Sequence, residues 1–111
     1  MAYYHFYYYV PESHLHATKE AIFAAGAGRA KKYTACAWET KGEGQYRPEE
    51  GSNPYRGTQG IVERVVEYKV ETFCDEKQLA AVLNALKSSH PYEKVAYGII
   101  KLENLYCEQA Q

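Results

Sequence analysis

The chain has 111 residues, of which 46% are hydrophobic, and its formal net charge at pH 7 is -1. This length allows one domain over 1–111, with its core at about 3–103 and a frayed tail at 104–111. The balanced charge argues against binding to nucleic acid or to an anionic membrane, and the apolar runs are far shorter than the roughly 20 residues that span a bilayer.

The cysteines and the first residues both favour a reducing compartment. Cys36, Cys74 and Cys107 are odd in number and widely spaced, and the sequence contains no CxxC pair. The opening MAYYHFYYYV has neither the basic start nor the small-residue cleavage site of a secretory signal. We therefore expect a reduced chain in the cytoplasm.

The first half of the chain predicts a strand, a helix and a second strand. Residues 3–10 are aromatic and β-branched, and a proline follows them, which is typical of a strand and its end. Ser13 is the predicted N-cap of the helix, and Gly26 and Gly28 are expected to end it. The second strand is predicted over 33–40.

A long connection follows, with the sequence GQYRPEEGSNPYRG over 44–57. Its prolines lack a backbone donor and its glycines favour turns, so we expect neither a strand nor a helix within it. Loops of this length inside a compact domain are usually functional or disordered. The loop over 42–60 is therefore a candidate site.

The second half repeats the order of strand, helix and strand. Residues 61–74 alternate well enough for a long strand, Asp75 is the predicted cap of the second helix, and residues 95–102 predict a fourth strand. The second helix places its apolar residues at the spacing of one buried face, namely Leu79, Val82, Leu83 and Leu86.

Two such units in succession predict an α+β fold. The halves also match in sequence, since VPESHL over 10–15 aligns with CDEKQL over 74–79 and Phe6 then meets Val70. A repeated strand–helix–strand unit of this kind is typical of the ferredoxin-like βαββαβ sandwich. We expect an antiparallel sheet with both helices on one of its faces.

The face of the sheet away from the helices is expected to be apolar. Five of the twelve tyrosines lie within residues 3–9, and alternation directs Tyr4, Phe6 and Tyr8 toward the helices. A large apolar patch on the other face is typical of an interface, so we expect a homo-oligomer that buries it. The predicted interface residues are His5, Tyr7, Tyr9, Lys69, Glu71 and Phe73.

Five segments occur in the same order in a known family. They are VPESHLHATKEAIFAAGAGR over 10–29, the Cys36-Ala37-Trp38 strand, GQYRPEEGSNPYRG, VERV over 62–65 and HPYEKVAY over 90–97. Over roughly Tyr4 to Leu102 the chain resembles the YqfO-type domain inserted into proteins of the NGG-one-interacting-factor-three family, which also occurs as stand-alone chains. The resemblance implies a fold like those of CutA and the PII signalling proteins, with a trimer as the favoured oligomer.

The resemblance also limits the chemistry that is expected. The full-length family has a larger domain with a two-metal site built from His, Asp and Glu motifs, and those motifs do not occur in this sequence. Metal-dependent hydrolase activity is therefore not carried over, and we expect a non-enzymatic protein. The chain also departs from the family at Lys94, where an acid often follows HPYE, and at GRAKKY over 28–33, where GRIGNY is frequent.

The long loop and the HPYE turn over 90–93 form the candidate ligand site. Two arginines of the loop can hold an anion through paired hydrogen bonds. In PII-like trimers the equivalent connection contributes to ligand binding between subunits, so we expect the loop either to bind a small or anionic molecule in a subunit cleft or to clamp a neighbouring subunit. The predicted ligand-binding residues are Tyr46, Arg47, Arg56, His90 and Glu93.

A divalent-metal-binding protein of the CutA type is the alternative. His90 and Glu93 are close in sequence, and Cys36 is a further candidate ligand. Two structural roles compete with this hypothesis. His90 can cap the last turn of the second helix, and Cys36 shares a strand face with Trp38, which predicts packing in the core. Apart from such a metal, no cofactor is expected.

Overall fold

The structure, a computed structural model, describes residues 2–103, which contain four strands and two helices. In chain order these are β1 (Tyr3–Pro11), α1 (Leu15–Ala24), β2 (Trp38–Tyr46), β3 (Glu63–Asp75), α2 (Leu79–Ser89) and β4 (Tyr97–Lys101). A short 3-10 helix over Glu12–His14 precedes α1. The tail predicted at 104–111, which includes Cys107, lies outside the described residues.

The strands form one antiparallel sheet in the order β2-β3-β1-β4. In its centre, Tyr8 of β1 pairs with Val70 of β3 on one side and with Tyr97 of β4 on the other. Strand β2 pairs with β3 as far as Tyr46 and Glu63, so these two strands continue as a ribbon past the end of β1. The predicted ferredoxin-like α+β fold is confirmed.

The core lies between the sheet and the helices. Phe6, Tyr8 and Val10 of β1 are fully buried, as alternation predicted for this face. Burial raises the pKa of Tyr8 to about 12, and its hydroxyl donates to Thr18 Oγ1 at 3.0 Å, so the phenol stays protonated. The helix residues that complete this core are Ile22, Val82 and Leu86. Each large buried side chain contributes about 1.5–3 kcal/mol of transfer free energy.

The opposite side of the sheet is called the open face below. Its described residues are His5, Tyr7, Tyr9, Trp38, Lys69, Glu71 and Ile100. The ring of Tyr7 lies over Gly98 of β4, where a Cβ would collide with it. The ammonium of Lys69 lies 4.9 Å from the centroid of the Tyr7 ring. Trp38 and Ile100 are 69% and 52% exposed, so large apolar side chains do remain on this face.

The second strand lies later in the chain than predicted. Strand β2 includes the first three residues of GQYRPEEGSNPYRG, which shortens the connection to the 47–62 loop. The strand forms because nine residues pair with β3, and this pairing outweighs the weak strand propensity of Gly42 and Gly44. Trp38 is thereby placed beside Glu71 on the open face, and its predicted packing in the core is wrong.

Residues 30–36 form a tight turn where a strand was predicted. Ala30 and Tyr33 exchange backbone hydrogen bonds of 2.9 and 2.8 Å. The turn packs Ala30 and Cys36 against Phe73, which is only 7% exposed. Phe73 is therefore covered by its own chain, which corrects the expectation that it contributes exposed surface to an interface. Cys36 is half-buried and acts as a packing residue.

The two ends of α1 differ in how well they were predicted. The predicted Ser13 N-cap is wrong, because its hydroxyl bonds to His14 Nδ1 at 2.8 Å and the helix begins at Leu15. The predicted end is confirmed. Gly26 has a φ of 118° and donates its N–H to the Phe23 carbonyl at 3.1 Å, which closes the last turn.

The predicted cap of α2 at Asp75 lies one turn too early, because the helix begins at Leu79 and its N-cap residue, Gln78, forms no side-chain cap hydrogen bond. Asp75 Oδ1 accepts a hydrogen bond from the Gln78 amide at 3.1 Å, one turn before the regular helix begins at Leu79. Capping of this kind satisfies an amide that has no partner inside the helix. Within residues 2–103, neither helix has the length and apolar character needed to cross a membrane.

Candidate functional site

A cavity of about 350 Å³ lies beside the β2–β3 ribbon, between the 47–62 loop and the HPYE turn that follows α2. The end of β2, β3, the loop and the turn all contribute to its wall. Its lining residues include Tyr46, Tyr55, Glu67, Tyr92, Glu93 and Lys94. The prolines of the loop, Pro48 and Pro54, add apolar surface without a backbone donor.

Three tyrosine rings meet in this cavity. The ring centroid of Tyr92 is 5.9 Å from that of Tyr46 and 6.2 Å from that of Tyr55, and the ring planes are inclined by 60° and 45°. Tyr55 also packs edge-on against His14 at 5.7 Å, which joins the loop to the start of α1. Inclined rings at these distances form a concave aromatic wall.

Tyr92 is linked to β3 through a carboxylate. Its hydroxyl donates to Glu67 Oε2 at 2.9 Å. Gly44 of β2 leaves the space that the Glu67 carboxylate occupies, since a Cβ at this position would collide with it. Burial raises the pKa of Tyr92, and the hydrogen bond to Glu67 raises it further, so the phenol remains a donor at neutral pH.

Two hydrogen bonds hold the loop against the rest of the site. Glu93 Oε1 accepts from the backbone N–H of Asn53 at 3.1 Å, which ties the loop to the HPYE turn. Tyr46 donates its hydroxyl to the Arg56 carbonyl at 2.6 Å, which ties the loop back to the end of β2. Burial raises the pKa of Tyr46, and Glu63 adds to the effect. The wall is thus fixed from two sides.

His90 lies behind the aromatic wall. Its Nε2 is 2.7 Å from the Tyr9 carbonyl, and its Nδ1 is 3.1 Å from the backbone N–H of Tyr92. Because a carbonyl only accepts and an amide N–H only donates, the ring is the neutral tautomer with its proton on Nε2. Burial lowers the pKa of His90, which favours this neutral form. His90 therefore positions Tyr92, whose ring is 4.9 Å away.

The structure brings together some of the predicted ligand-binding residues. Tyr46 and Glu93 line the cavity. Arg56 lies close enough to lower the pKa of Tyr46 and Tyr92, although burial outweighs its effect. Arg47 is exposed and lies outside the lining, and His90 is covered by its own hydrogen bonds. The paired arginines expected to hold an anion do not converge on the cavity.

The structure does not bring Cys36 to His90, the other predicted metal ligand of this pair. Cys36 packs on Phe73, which pairs with His5 near the start of β1. His90 instead bonds to the Tyr9 carbonyl near the end of that strand. Both ring nitrogens of His90 are also already engaged. Among residues 2–103, no cluster of three or more His, Cys, Asp or Glu side chains has the arrangement of a metal site.

Sequence reasoning missed Glu67, Tyr92 and Tyr55. Glu67 lies opposite Gly42 and beside Gly44, where its carboxylate turns into the cavity, and alternation along β3 alone does not indicate this. Tyr92 was visible within HPYE but was read as part of a family motif. The one available signal was the recurrence of tyrosine in the loop and in the turn.

Comparison with known proteins identifies relatives of this chain in sequence and neighbours in structure. No protein-family model matches it. A GTP cyclohydrolase 1 type 2 homolog of Halalkalibacterium halodurans is 44% identical over 96 residues, which are 86% of this chain and 26% of that protein. The chain thus spans about a quarter of the length of the curated relatives it matches.

Two solved structures extend this result. The Bacillus cereus protein related to NIF3 superposes with a TM-score of 0.80 at 32% identity, covering 93% of this chain and 26% of that one. CutA from Synechococcus elongatus PCC7942 superposes with a TM-score of 0.68 at 20% identity, covering 98% and 84% of the two chains, and shows the fold alone. The resemblance to the YqfO-type domain is confirmed: over most of its length this chain is similar to one part of the GTP cyclohydrolase 1 type 2 homologs and of a protein related to NIF3, and it has a CutA-like fold.

Proposed function

We propose that this chain is a non-enzymatic, small-molecule-binding or regulatory module, and that it works as a homo-oligomer. The cavity walled by Tyr46, Tyr55 and Tyr92, with Glu67 and Glu93 beside them, is the observation that carries this proposal. Ligand sites are usually concave and largely apolar, with a few fixed polar groups, and their volumes run from about 300 to 1,000 Å³. The cavity has these properties.

The open face supports the oligomer. Trp38, Tyr9 and Ile100 expose apolar surface there, and Lys69 and Glu71 give the face a partly polar character that suits an interface. The CutA-like fold makes a trimer the proposed form, by analogy of fold. In this proposal the edge strand β2, which borders the cavity, also meets a neighbouring subunit, so that the ligand lies in a subunit cleft.

Binding is proposed in preference to catalysis. The name of the curated relatives refers to an enzyme, but the match covers about a quarter of their length. In the cavity, the carboxylates of Glu67 and Glu93 act as hydrogen-bond acceptors that position Tyr92 and the loop. We also propose a reducing, cytoplasmic location, supported by the free thiols of Cys36 and Cys74.

Identifying the small molecules that co-purify with the protein tests the proposal. Untagged wild-type protein and the variant Tyr55→Leu are purified in parallel and denatured, and the released compounds are compared by mass spectrometry. Tyr33→Leu, in the exposed 30–36 turn, is the matched control. We expect a compound that is present with wild type and the control and depleted with Tyr55→Leu. Identical extracts from all three proteins would contradict the proposed site.

A further inference from the structure

We propose that the cavity binds an organic cation, with an alkylated ammonium group seated against the rings of Tyr46, Tyr55 and Tyr92. The inference rests on the proposed binding function and names its ligand class. It reverses the expectation of an anionic ligand, which depended on Arg47 and Arg56. Three features of the cavity support it: the tyrosine rings, the sign of the charges in the wall, and the placement of the arginines.

The aromatic wall suits a cation. The face of an aromatic ring carries negative potential and attracts a cation within about 6 Å of its centroid, and clusters of such rings bind quaternary ammonium groups. The planes of Tyr46 and Tyr55 are inclined to that of Tyr92 by 60° and 45°. The rings pack against one another at these distances and turn their faces in different directions, so a rounded cation seated on this wall can contact more than one ring.

The charges of the wall have the complementary sign. Two carboxylates, Glu67 and Glu93, and one ammonium, Lys94, line the cavity. Glu67 Oε2 accepts a hydrogen bond from the Tyr92 hydroxyl, and Glu93 Oε1 accepts one from the backbone N–H of Asn53. The second oxygen of Glu93 takes no part in the bond to Asn53 and can face a bound cation. Both oxygens of Glu67 are already placed, Oε2 at the Tyr92 hydroxyl and Oε1 against Gly44, so Glu67 contributes its negative charge to the wall. A phosphate or carboxylate ligand would meet two like charges here.

The arginines do not outweigh this preference. Burial and Glu67 raise the pKa of Tyr46 and of Tyr92, and Glu63 also raises that of Tyr46, whereas the positive charge of Arg56 lowers the pKa of both tyrosines. Neither Arg47 nor Arg56 is among the lining residues, and Arg56 contacts the lining residue Tyr46 through its backbone carbonyl. The effect of Arg56 on the pKa of Tyr92 is smaller than the opposite effects of burial and of Glu67. An anion held by two convergent guanidinium groups therefore has no counterpart in the described part of the cavity.

The test compares two probes of equal shape. Choline and 3,3-dimethyl-1-butanol differ in that a carbon replaces the charged nitrogen, and both are titrated into the full chain by calorimetry and by ligand-observed NMR. We expect choline to bind about tenfold more tightly than its neutral isostere, because attraction to the rings and carboxylates requires the charge. Inorganic phosphate is titrated in the same way as an anionic probe.

Two variants locate the binding. Tyr55→Leu removes one ring, and Glu93→Gln removes a charge while keeping an oxygen that accepts from Asn53. We expect each to weaken choline binding by about fivefold or more, and Tyr33→Leu to leave it unchanged. Equal affinity for choline and its isostere, or choline binding that both variants retain, would overturn the inference.

The outcomes also separate this inference from the proposed function. If choline fails to bind but wild type still releases a compound that Tyr55→Leu lacks, the ligand class is wrong and the binding site stands. If phosphate binds, and if Tyr55→Leu weakens and Glu93→Gln strengthens its binding, the ligand of this site is an anion and the inferred cation is wrong. If no probe binds and the extracts are identical, both proposals fail.

Discussion

Tyr92 donates its hydroxyl to Glu67 Oε2 across 2.9 Å and thereby joins the turn after α2 to the middle of β3. The two residues are 25 positions apart in the chain, and the contact closes one wall of the cavity. Replacing Tyr92 by Phe removes the hydroxyl and keeps the ring. We expect the free energy of unfolding to fall by about 1 kcal/mol, as for a partly exposed hydrogen bond to a charged acceptor.

Urea denaturation monitored by circular dichroism checks this prediction. Tyr33→Phe is the control, since Tyr33 is 74% exposed and its hydroxyl loss should leave stability unchanged. If Tyr92→Phe and Tyr33→Phe unfold at the same urea midpoint, the Tyr92–Glu67 contact does not stabilise the fold.

The hydroxyl pair inside the core gives a second prediction. Tyr8 donates to Thr18 Oγ1 at 3.0 Å, and Thr18 Oγ1 donates in turn to the His14 carbonyl at 2.9 Å. Tyr8→Phe removes the donor to Thr18 in a fully buried place, which we expect to cost about 1–2 kcal/mol. Tyr9→Phe, on the open face of the same strand, should cost much less. Thermal unfolding of both variants measures the difference, and equal losses would be inconsistent with this account.

The fold and the site differ in how far the sequence determines them. The repeat of strand, helix and strand, and the apolar periods of β1 and α2, are local patterns, so the sheet and its covered face follow from them. Strand β2 does not, because its glycines and charged residues form a strand only when β3 lies beside them. The error in β2 also explains why Trp38 was expected in the core.

The sequence predicted that the loop and the HPYE turn form the site, but it could not predict the wall of the cavity, for the same reason. Its wall depends on the register that sets Glu67 beside Gly44, and on a hydrogen bond between Asn53 and Glu93, which are 40 positions apart. Neither relationship has a periodic signature. The motif HPYE correctly marked the turn, but the roles within it could not be assigned. His90 positions Tyr92, and Tyr92 and Glu93 face the cavity.

His90 provides a prediction about pH. Burial lowers its pKa in the folded chain below the ordinary value of 6.5, so the unfolded chain binds the proton more readily. The stabilising contribution of neutral His90 is therefore fully present above about pH 6.5 and is lost as the pH falls toward the lower, folded-state pKa. Protonation also places a hydrogen on Nδ1, which then no longer accepts from the Tyr92 amide.

The variant His90→Gln tests this directly. We expect it to be less stable than wild type at pH 8 by about 1–3 kcal/mol, because a buried bridge between Tyr9 and Tyr92 is lost, and to lack the fall in stability below pH 6.5. His16→Gln, at an exposed side chain of α1, should retain that fall. Unfolding free energies measured from pH 5 to 8 decide the matter, and parallel curves for wild type and His90→Gln would contradict the assigned role.

The open face gives a fourth prediction. Introducing a charge by Tyr9→Asp together with Trp38→Asp should disfavour an interface built on this face, because both side chains expose apolar surface there. We expect the double variant to be a folded monomer by light scattering, with unchanged far-ultraviolet circular dichroism. Tyr33→Asp, in the 30–36 turn, is the matched control and should keep the wild-type mass. A double variant that retains the wild-type mass would rule this interface out.

Native mass spectrometry of the untagged wild-type chain is the most informative single measurement, because it reports subunit number and bound small molecules in one spectrum. We expect an oligomer, with the trimer as the proposed form, that carries additional mass and loses it in the variant Tyr55→Leu. A monomer without additional mass, at concentrations where the protein is fully folded, would contradict both the interface on the open face and the ligand site beside it.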